Sequence, residues 1–238
     1  MSRSLVVVSN APCLVGCCLG EIIDSFDEVV RFNSFSTAGF ERDVGAKTTI
    51  WSRMYRVDKL PKLQPGVRKL SREYRKDAAK AKGVLGCELI PDSVNGFYRR
   101  AISQSQAHVS SGLLVIAYLL DEFAVVHTAG FYKSALEQAA FAKHYWQPKR
   151  KGPFPKGHNP LSEKALYETW VAAGRVIELP LPDEDNYGYQ DCWRNPCSIR
   201  LQQVPWQTPG PYCRHPDDST GVSASNTGKD AQPGAGGD

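Results

Sequence analysis

No apolar run in this sequence approaches the roughly 20 residues a helix needs to cross a bilayer. The longest, Gly112 to Leu120, is interrupted by Tyr118. The first residues do not read as a secretory leader. Leu5 to Val8 follows a single Arg and stops at the polar pair Ser9-Asn10, which is the pattern of a first strand. Neither G-x-G-x-x-G nor the P-loop pattern occurs, which removes support for nicotinamide and triphosphate sites. Internal repeats are absent. A strong charge of either sign is absent too: the net charge is +4, so global charge carries no nucleic-acid signature. The excess is local. Arg53 to Lys82 holds eleven Lys/Arg and three Asp/Glu, a surplus of eight, so the remainder sums to about −4. The seven Cys include no C-x2-C pair and have no His at a regular offset, which sets zinc aside in favour of inert thiols. An odd Cys count without a leader points to a reducing compartment.

What is present is ordinary globular composition. With 42% hydrophobic residues in 238, the chain can bury a sizeable core in one large domain. Leu5–Ser9 reads as a strand buried on both faces. A short helical piece around Glu21–Ser25 follows, then strands at Glu28–Phe32 and Thr48–Ser52. The charged stretch Val67–Lys82 reads as a helix stopped by Gly83, and Val84–Ile90 as strand-like. Ser110 or Ser111 caps a buried helix from Gly112 to about Asp121. Phe123–Thr128 is a strand, Ser134–Lys143 a helix and Lys149–Lys156 a loop. Asn159-Pro160 starts a helix running to about Ala173, and Arg175–Leu179 is a last strand. Strands alternating with helices predict an α/β domain over residues 1–214, with a mainly parallel sheet. Residues 215–238 lack aromatics and read as a disordered tail. Ligands then belong at the carboxyl ends of the strands.

Several residues there suit chemistry. Val109-Ser-Ser-Gly112 opens a buried helix and offers N–H donors to an anion, although an ordinary cap looks the same. His158 precedes a helix start, whose dipole favours the neutral, proton-accepting imidazole. His144 lies between a Lys and two aromatics. Asp183-Glu-Asp185 has the D-x-D form of a metal clamp but sits in a Pro-rich acidic segment, and reads as solvated.

Together these pieces resemble the sialylmotifs of eukaryotic-type sialyltransferases. Leu5-Val-Val-Val-Ser-Asn10 through Arg31-Phe-Asn33, with Asp43-Val-Gly45-Ala-Lys47-Thr-Thr49, resembles the large motif. Ser110-Ser-Gly-Leu113 through Gly130-Phe131 resembles the small motif, His144-Tyr-Trp146 the third, and His158-x4-Glu163 the very small one. The resemblance covers about residues 5–180. It implies a variant GT-A-type (Rossmann-like) nucleotide-binding fold and an inverting transferase using a CMP-activated acidic sugar. By motif, Asn10 and Asn33 would contact CMP, and Ser111 and Gly112 would hold it, with His108 nearby. His144 would stabilise the departing phosphate, and His158 would deprotonate the acceptor hydroxyl. Glu163 reads as structural. No metal or other cofactor is expected, because a single phosphate leaves and a cationic His with helix N–H groups can stabilise it.

Three departures stand out. Where the family has two bridging Cys, this chain has Leu5 and Leu120, an apolar pair suited to a reducing compartment. Ser9 replaces a Gly, and Val109-Ser110-Ser111 replaces Pro-Ser-Thr. The expected partners are a CMP-sugar donor and a glycan acceptor. The chain as given reads as soluble and cytoplasmic, or as a Golgi-lumen protein if its N-terminus is truncated. Alternatives are another CMP-linked acidic sugar such as Kdo, an inactive CMP-binding protein, or a nucleic-acid binder using Arg53–Lys82. That stretch has few stacking aromatics, which disfavours the last.

Overall fold

The computed structural model describes residues 3–53, 62–72, 82–83, 85–102, 109–131, 144–146 and 160–181. Seven strands form one sheet: β1 (Leu5–Val8), β2 (Glu28–Phe32), β3 (Ile50–Arg53), β4 (Arg68–Arg72), β5 (Glu88–Ile90), β6 (Val126–Ala129) and β7 (Val176–Glu178). Their order is β5-β4-β3-β2-β1-β6-β7, and every pairing is parallel. The described helices are α1 (Gly20–Ser25), α2 (Glu41–Val44), α3 (Asp92–Ala101), α4 (Ser111–Leu119) and α5 (Pro160–Ala172).

β1 is buried over its whole length because both of its faces are covered. Leu5 and Val7 point into one core with Val30, Ile50, Leu70 and the buried side chains of α4. Val6 and Val8 point into a second core with Ile23, Phe26, Val29 and Val44. Such two-sided burial is why a parallel strand carries a continuous apolar run instead of an alternating one. Burying these aliphatic side chains contributes about 1.5–3 kcal/mol each.

The topology places the site. From β1 the chain steps outward through β2 to β5, then returns to lay β6 against the other side of β1. The order reverses between β1 and β6. The loops leaving those two strands lie at the carboxyl edge, where open α/β sheets bind ligands.

The expectation of a helix over Val67–Lys82 is corrected at its start, residues 73–81 lying outside the described residues. Arg68–Arg72 is strand β4, hydrogen-bonded to β3 and β5. Charge density reports solvent preference, not period, and here the charges have partners. The Arg68 guanidinium binds Glu88 at 2.8 Å and Glu122 at 2.6 Å. Leu70 and Ser71 are fully buried, so two ladders outweigh the local composition. α3 was not expected at all, since Asn95 and Gly96 break its apolar period. It is held by Val94 and Tyr98 against the core, with Asp92 in its first turn and Arg99 and Arg100 in its last, as the helix dipole favours. The strand expected at Val84–Ile90 shrinks to its last three residues, and the one at Phe123–Thr128 starts at Val126. The expected helix Ser134–Lys143, the loop Lys149–Lys156 and the tail 215–238 lie outside the described residues. Among the described residues, no helix is long and apolar enough to cross a membrane.

Candidate active site

Four segments meet at the carboxyl edge. The first is the loop after β1. Ser9 Oγ donates to the Gly130 carbonyl at 2.7 Å and accepts from the Ala11 N–H at 3.1 Å. The Ser that replaces Gly is thus used to tie the β1 and β6 loops together. Gly130 sits at φ +73, and a Cβ there would lie 2.6 Å from Ser9 Oγ, so the close approach needs glycine. Asn10 follows, with its side-chain N–H2 turned to the Phe32 and Ser34 carbonyls at long range, 3.4 and 3.5 Å.

The second segment follows β2. Asn33 takes φ +46, a left-handed conformation that Asn tolerates better than most residues. Its N–H donates to the Ser52 carbonyl at 2.8 Å, and its carbonyl accepts from Trp51 Nε1 at 2.8 Å. Trp51 is buried, so the kink is held from beneath.

The third is the start of α4. Ser110 is the N-cap, and its Oγ accepts from the Leu113 N–H at 3.2 Å. The N–H groups of Ser111 and Gly112 then have no acceptor within the helix. Gly112 lies against the Phe131 ring, where a Cβ would come within 2.4 Å of Cε1. Phe131 in turn stacks on Tyr167 and meets Phe32 edge-on, with centroids 6.3 and 6.2 Å apart. Aromatic packing therefore fixes the helix start beside the ends of β2 and β6.

The fourth segment is His144-Tyr145-Trp146. The Tyr145 N–H donates to the Asn10 carbonyl at 3.1 Å, and its hydroxyl donates to the Ser36 carbonyl at 2.8 Å. His144 stacks on Trp146 with centroids 5.6 Å apart. The imidazole is thereby carried by a segment anchored to the loops of Asn10 and Asn33. Burial pushes the Tyr145 hydroxyl above its ordinary pKa, so it stays a neutral donor.

Arg31 supports this arrangement from below. It is 2% exposed and donates to the carbonyls of Lys47, Val44 and Gly45 at 3.0, 2.7 and 3.1 Å. Burial lowers its pKa, the nearby Tyr145 and Asp24 offsetting part of that. Asp24 takes the N–H groups of Ala46 and Lys47, each at 2.9 Å. The stretch that closes the large-motif resemblance is thus a structural hook under β2.

Asn10, Asn33, Ser111, Gly112 and His144 are brought to one edge. His108, His158, Asp183 and Asp185 lie outside the described residues. Among the described residues, no group of three His, Cys, Asp or Glu is arranged to hold a metal ion. Sequence reasoning missed Arg72, whose Nη2 donates to the Val109 carbonyl at 2.6 Å. A strand reading of Leu70-Ser-Arg72 would have put that guanidinium at the carboxyl edge. Glu163 is 2% exposed and accepts from the Ser110 N–H at 3.0 Å, so its contact is with the α4 start and not only with its own helix.

Comparison with known proteins fits this geometry. Residues 2–56 match the family model described as glycosyltransferase family 29 (sialyltransferase). The human beta-galactoside alpha-2,6-sialyltransferase 2 is 56% identical over 48 residues, 20% of this chain and 9% of the relative. The mouse CMP-N-acetylneuraminate-beta-1,4-galactoside alpha-2,3-sialyltransferase is 48% identical over 48 residues, 20% of this chain and 13% of the relative. These matches span only about a tenth of the relatives' length. A crystal structure of a mammalian sialyltransferase in complex with Gal-beta-1-3GalNAc-ortho-nitrophenol matches with a TM-score of 0.58 at 20% identity. That match covers 75% of this chain and 69% of the other. The chain therefore resembles the sialyltransferase family in sequence from β1 through β3, and it has the sialyltransferase fold, a GT-A-like parallel sheet flanked by helices.

Proposed function

We propose that this protein is an inverting glycosyltransferase that moves sialic acid from CMP-sialic acid to a hydroxyl of a glycan acceptor. The observation that carries this reading is convergence. The loops of Asn10 and Asn33, the open start of α4 and His144 all meet at the point where strand order reverses. Family likeness falls on the same β1–β3 segment.

In this reading CMP lies across the strand ends, with Asn10 and Asn33 on the nucleoside side and Ser111 and Gly112 toward the phosphate. Helix N–H groups carry about half a positive charge, suited to one phosphate. His108, next to Val109 in the sequence, would join them. As the sugar approaches an oxocarbenium-like transition state, the phosphate gathers negative charge, and a protonated His144 stabilises it. His158 takes the acceptor proton from the opposite side, and attack there inverts the anomeric centre. A monophosphate leaving group makes a divalent ion unnecessary. The named relatives act on galactosides, which makes a β-galactoside the first acceptor class to try.

The test separates the two His. A positioned base contributes about 10²–10⁴-fold in rate. His158→Ala should lower kcat by that order while CMP affinity holds, and should remove the limb of the pH–rate profile that rises with pH near the His pKa. His144→Ala should harm both CMP affinity and kcat, since the phosphate is present in ground and transition states. Near-normal turnover of a folded His158→Ala variant would overturn the mechanism. Hydrolysis of CMP-Kdo but not CMP-sialic acid by the wild type would reassign the donor.

A further inference from the structure

One peptide group at the start of α4 is held at both ends by buried charged side chains. The Val109 carbonyl accepts from Arg72 Nη2 at 2.6 Å, and the Ser110 N–H donates to Glu163 Oε1 at 3.0 Å. That oxygen and that nitrogen belong to the same Val109–Ser110 peptide. Arg72 is 4% exposed and Glu163 is 2% exposed. They come from β4 and α5, distant in sequence, and meet across one backbone dipole.

The orientation is electrostatically matched. The negative end of the peptide faces the guanidinium, and the positive end faces the carboxylate. Removing one side chain leaves the other a buried charge with less compensation. The clamped peptide precedes the N-cap directly. Rotating it would swing Ser110 out of reach of the Leu113 N–H and redirect the open N–H groups of Ser111 and Gly112.

A second consequence concerns charge. A carboxylate beside an anion-binding helix start would repel a phosphate. Arg72, on the other side of the same peptide, offsets it.

We propose that Arg72 is a positioning residue for the donor phosphate: paired with Glu163 across the Val109–Ser110 peptide, it fixes the α4 start and cancels the field of that carboxylate. This rests on the reading that places the CMP phosphate at α4. A purely structural role would make loss of either partner harmful to every ligand alike. The clamp makes their effects on the phosphate opposite in sign.

The experiment measures CMP and cytidine affinity by calorimetry for the full chain and four variants. Arg72→Gln should weaken CMP about tenfold, the effect of about 1.4 kcal/mol, and leave cytidine nearly unchanged. Arg72→Lys keeps the charge and a donor, and should restore most of the loss. Glu163→Gln still accepts the N–H through its amide oxygen, and should not weaken CMP. The double variant Arg72→Gln/Glu163→Gln should bind CMP better than Arg72→Gln alone. Equal losses for CMP and cytidine, or a double variant no better than the single, would overturn the proposal. If Arg72→Gln fails to fold, Arg72→Lys and Glu163→Gln decide: a CMP-selective loss in Glu163→Gln overturns the charge balance, and its absence, with CMP binding kept in Arg72→Lys, supports it. A wild type that binds cytidine as well as CMP would overturn the phosphate site itself. Urea midpoints of the variants would still report whether the two charges are coupled.

Discussion

Asn33 combines two roles that substitution can separate. Its backbone is held at φ +46 by the bonds to Ser52 and Trp51, and the residue follows β2 directly at the carboxyl edge. Asn33→Gly keeps the left-handed backbone without steric cost and deletes only the side chain. Its CMP affinity should fall, as read by calorimetry. Asn33→Ala should lose the same affinity and, in addition, about 1–2 kcal/mol of stability from the strained φ. Unchanged CMP affinity in Asn33→Gly would move the nucleoside away from β2. The side chain type was legible in the sequence, because an Asn after a buried strand is an ordinary turn signal. The positive φ was not, because it depends on Trp51 reaching the carbonyl from the next strand.

At the scale of elements, β6 carries a titratable group, half-buried against Phe26 of the second core. His127 lies with its ring 4.9 Å from that of Phe26. Burial lowers its pKa from 6.5, a backbone bond with Leu5 opposing this. The folded protein therefore disfavours the imidazolium, and the unfolded chain binds the proton more readily. Stability from this group is present above the unfolded pKa near 6.5 and is lost as pH falls toward the depressed folded value. His127→Phe removes that dependence. The melting temperature of His127→Phe minus that of wild type should rise on acidification from about pH 7 to about pH 5, the span around the ordinary His pKa. A constant difference would mean that the imidazole is solvated in the folded state. α4 shows what an element owes to its sequence: six of its nine residues are buried, and Ser110 caps it as the hydroxyl before an apolar run suggests. β4 shows the reverse, since its partners Glu88 and Glu122 lie on other elements.

For the whole molecule, Leu5 of β1 and Leu120 at the end of α4 stand where the resembled family has its bridging Cys. Leu5 is fully buried and Leu120 is 9% exposed, and both belong to the same core. Dithiothreitol should leave the urea midpoint and the activity unchanged. Leu5→Ala should cost about 2–5 kcal/mol by urea unfolding, the usual range for a buried Leu in a packed core. Loss of activity in dithiothreitol would show that a thiol bond elsewhere carries the fold. Turnover should also survive EDTA, because on the proposed reading a single phosphate leaves and the α4 start with His144 would stabilise it. Loss in EDTA that manganese restores would bring Asp183 and Asp185 into the site.

The sequence by itself determined the parallel α/β class, the two-sided burial of β1, the cap of α4 and the family likeness. Each is written in contiguous residues: a β-branched run, a hydroxyl before an apolar helix, a motif around Asn10 and Asn33. The tertiary structure alone decided that Arg68–Arg72 is a strand, that 92–101 is a helix, and that Arg72 and Glu163 share one peptide. Those outcomes depend on partners distant in the chain. A charged segment becomes a strand only when other elements supply its ladder and counter-charges, and a buried carboxylate finds its acceptor role only when two helices are brought together.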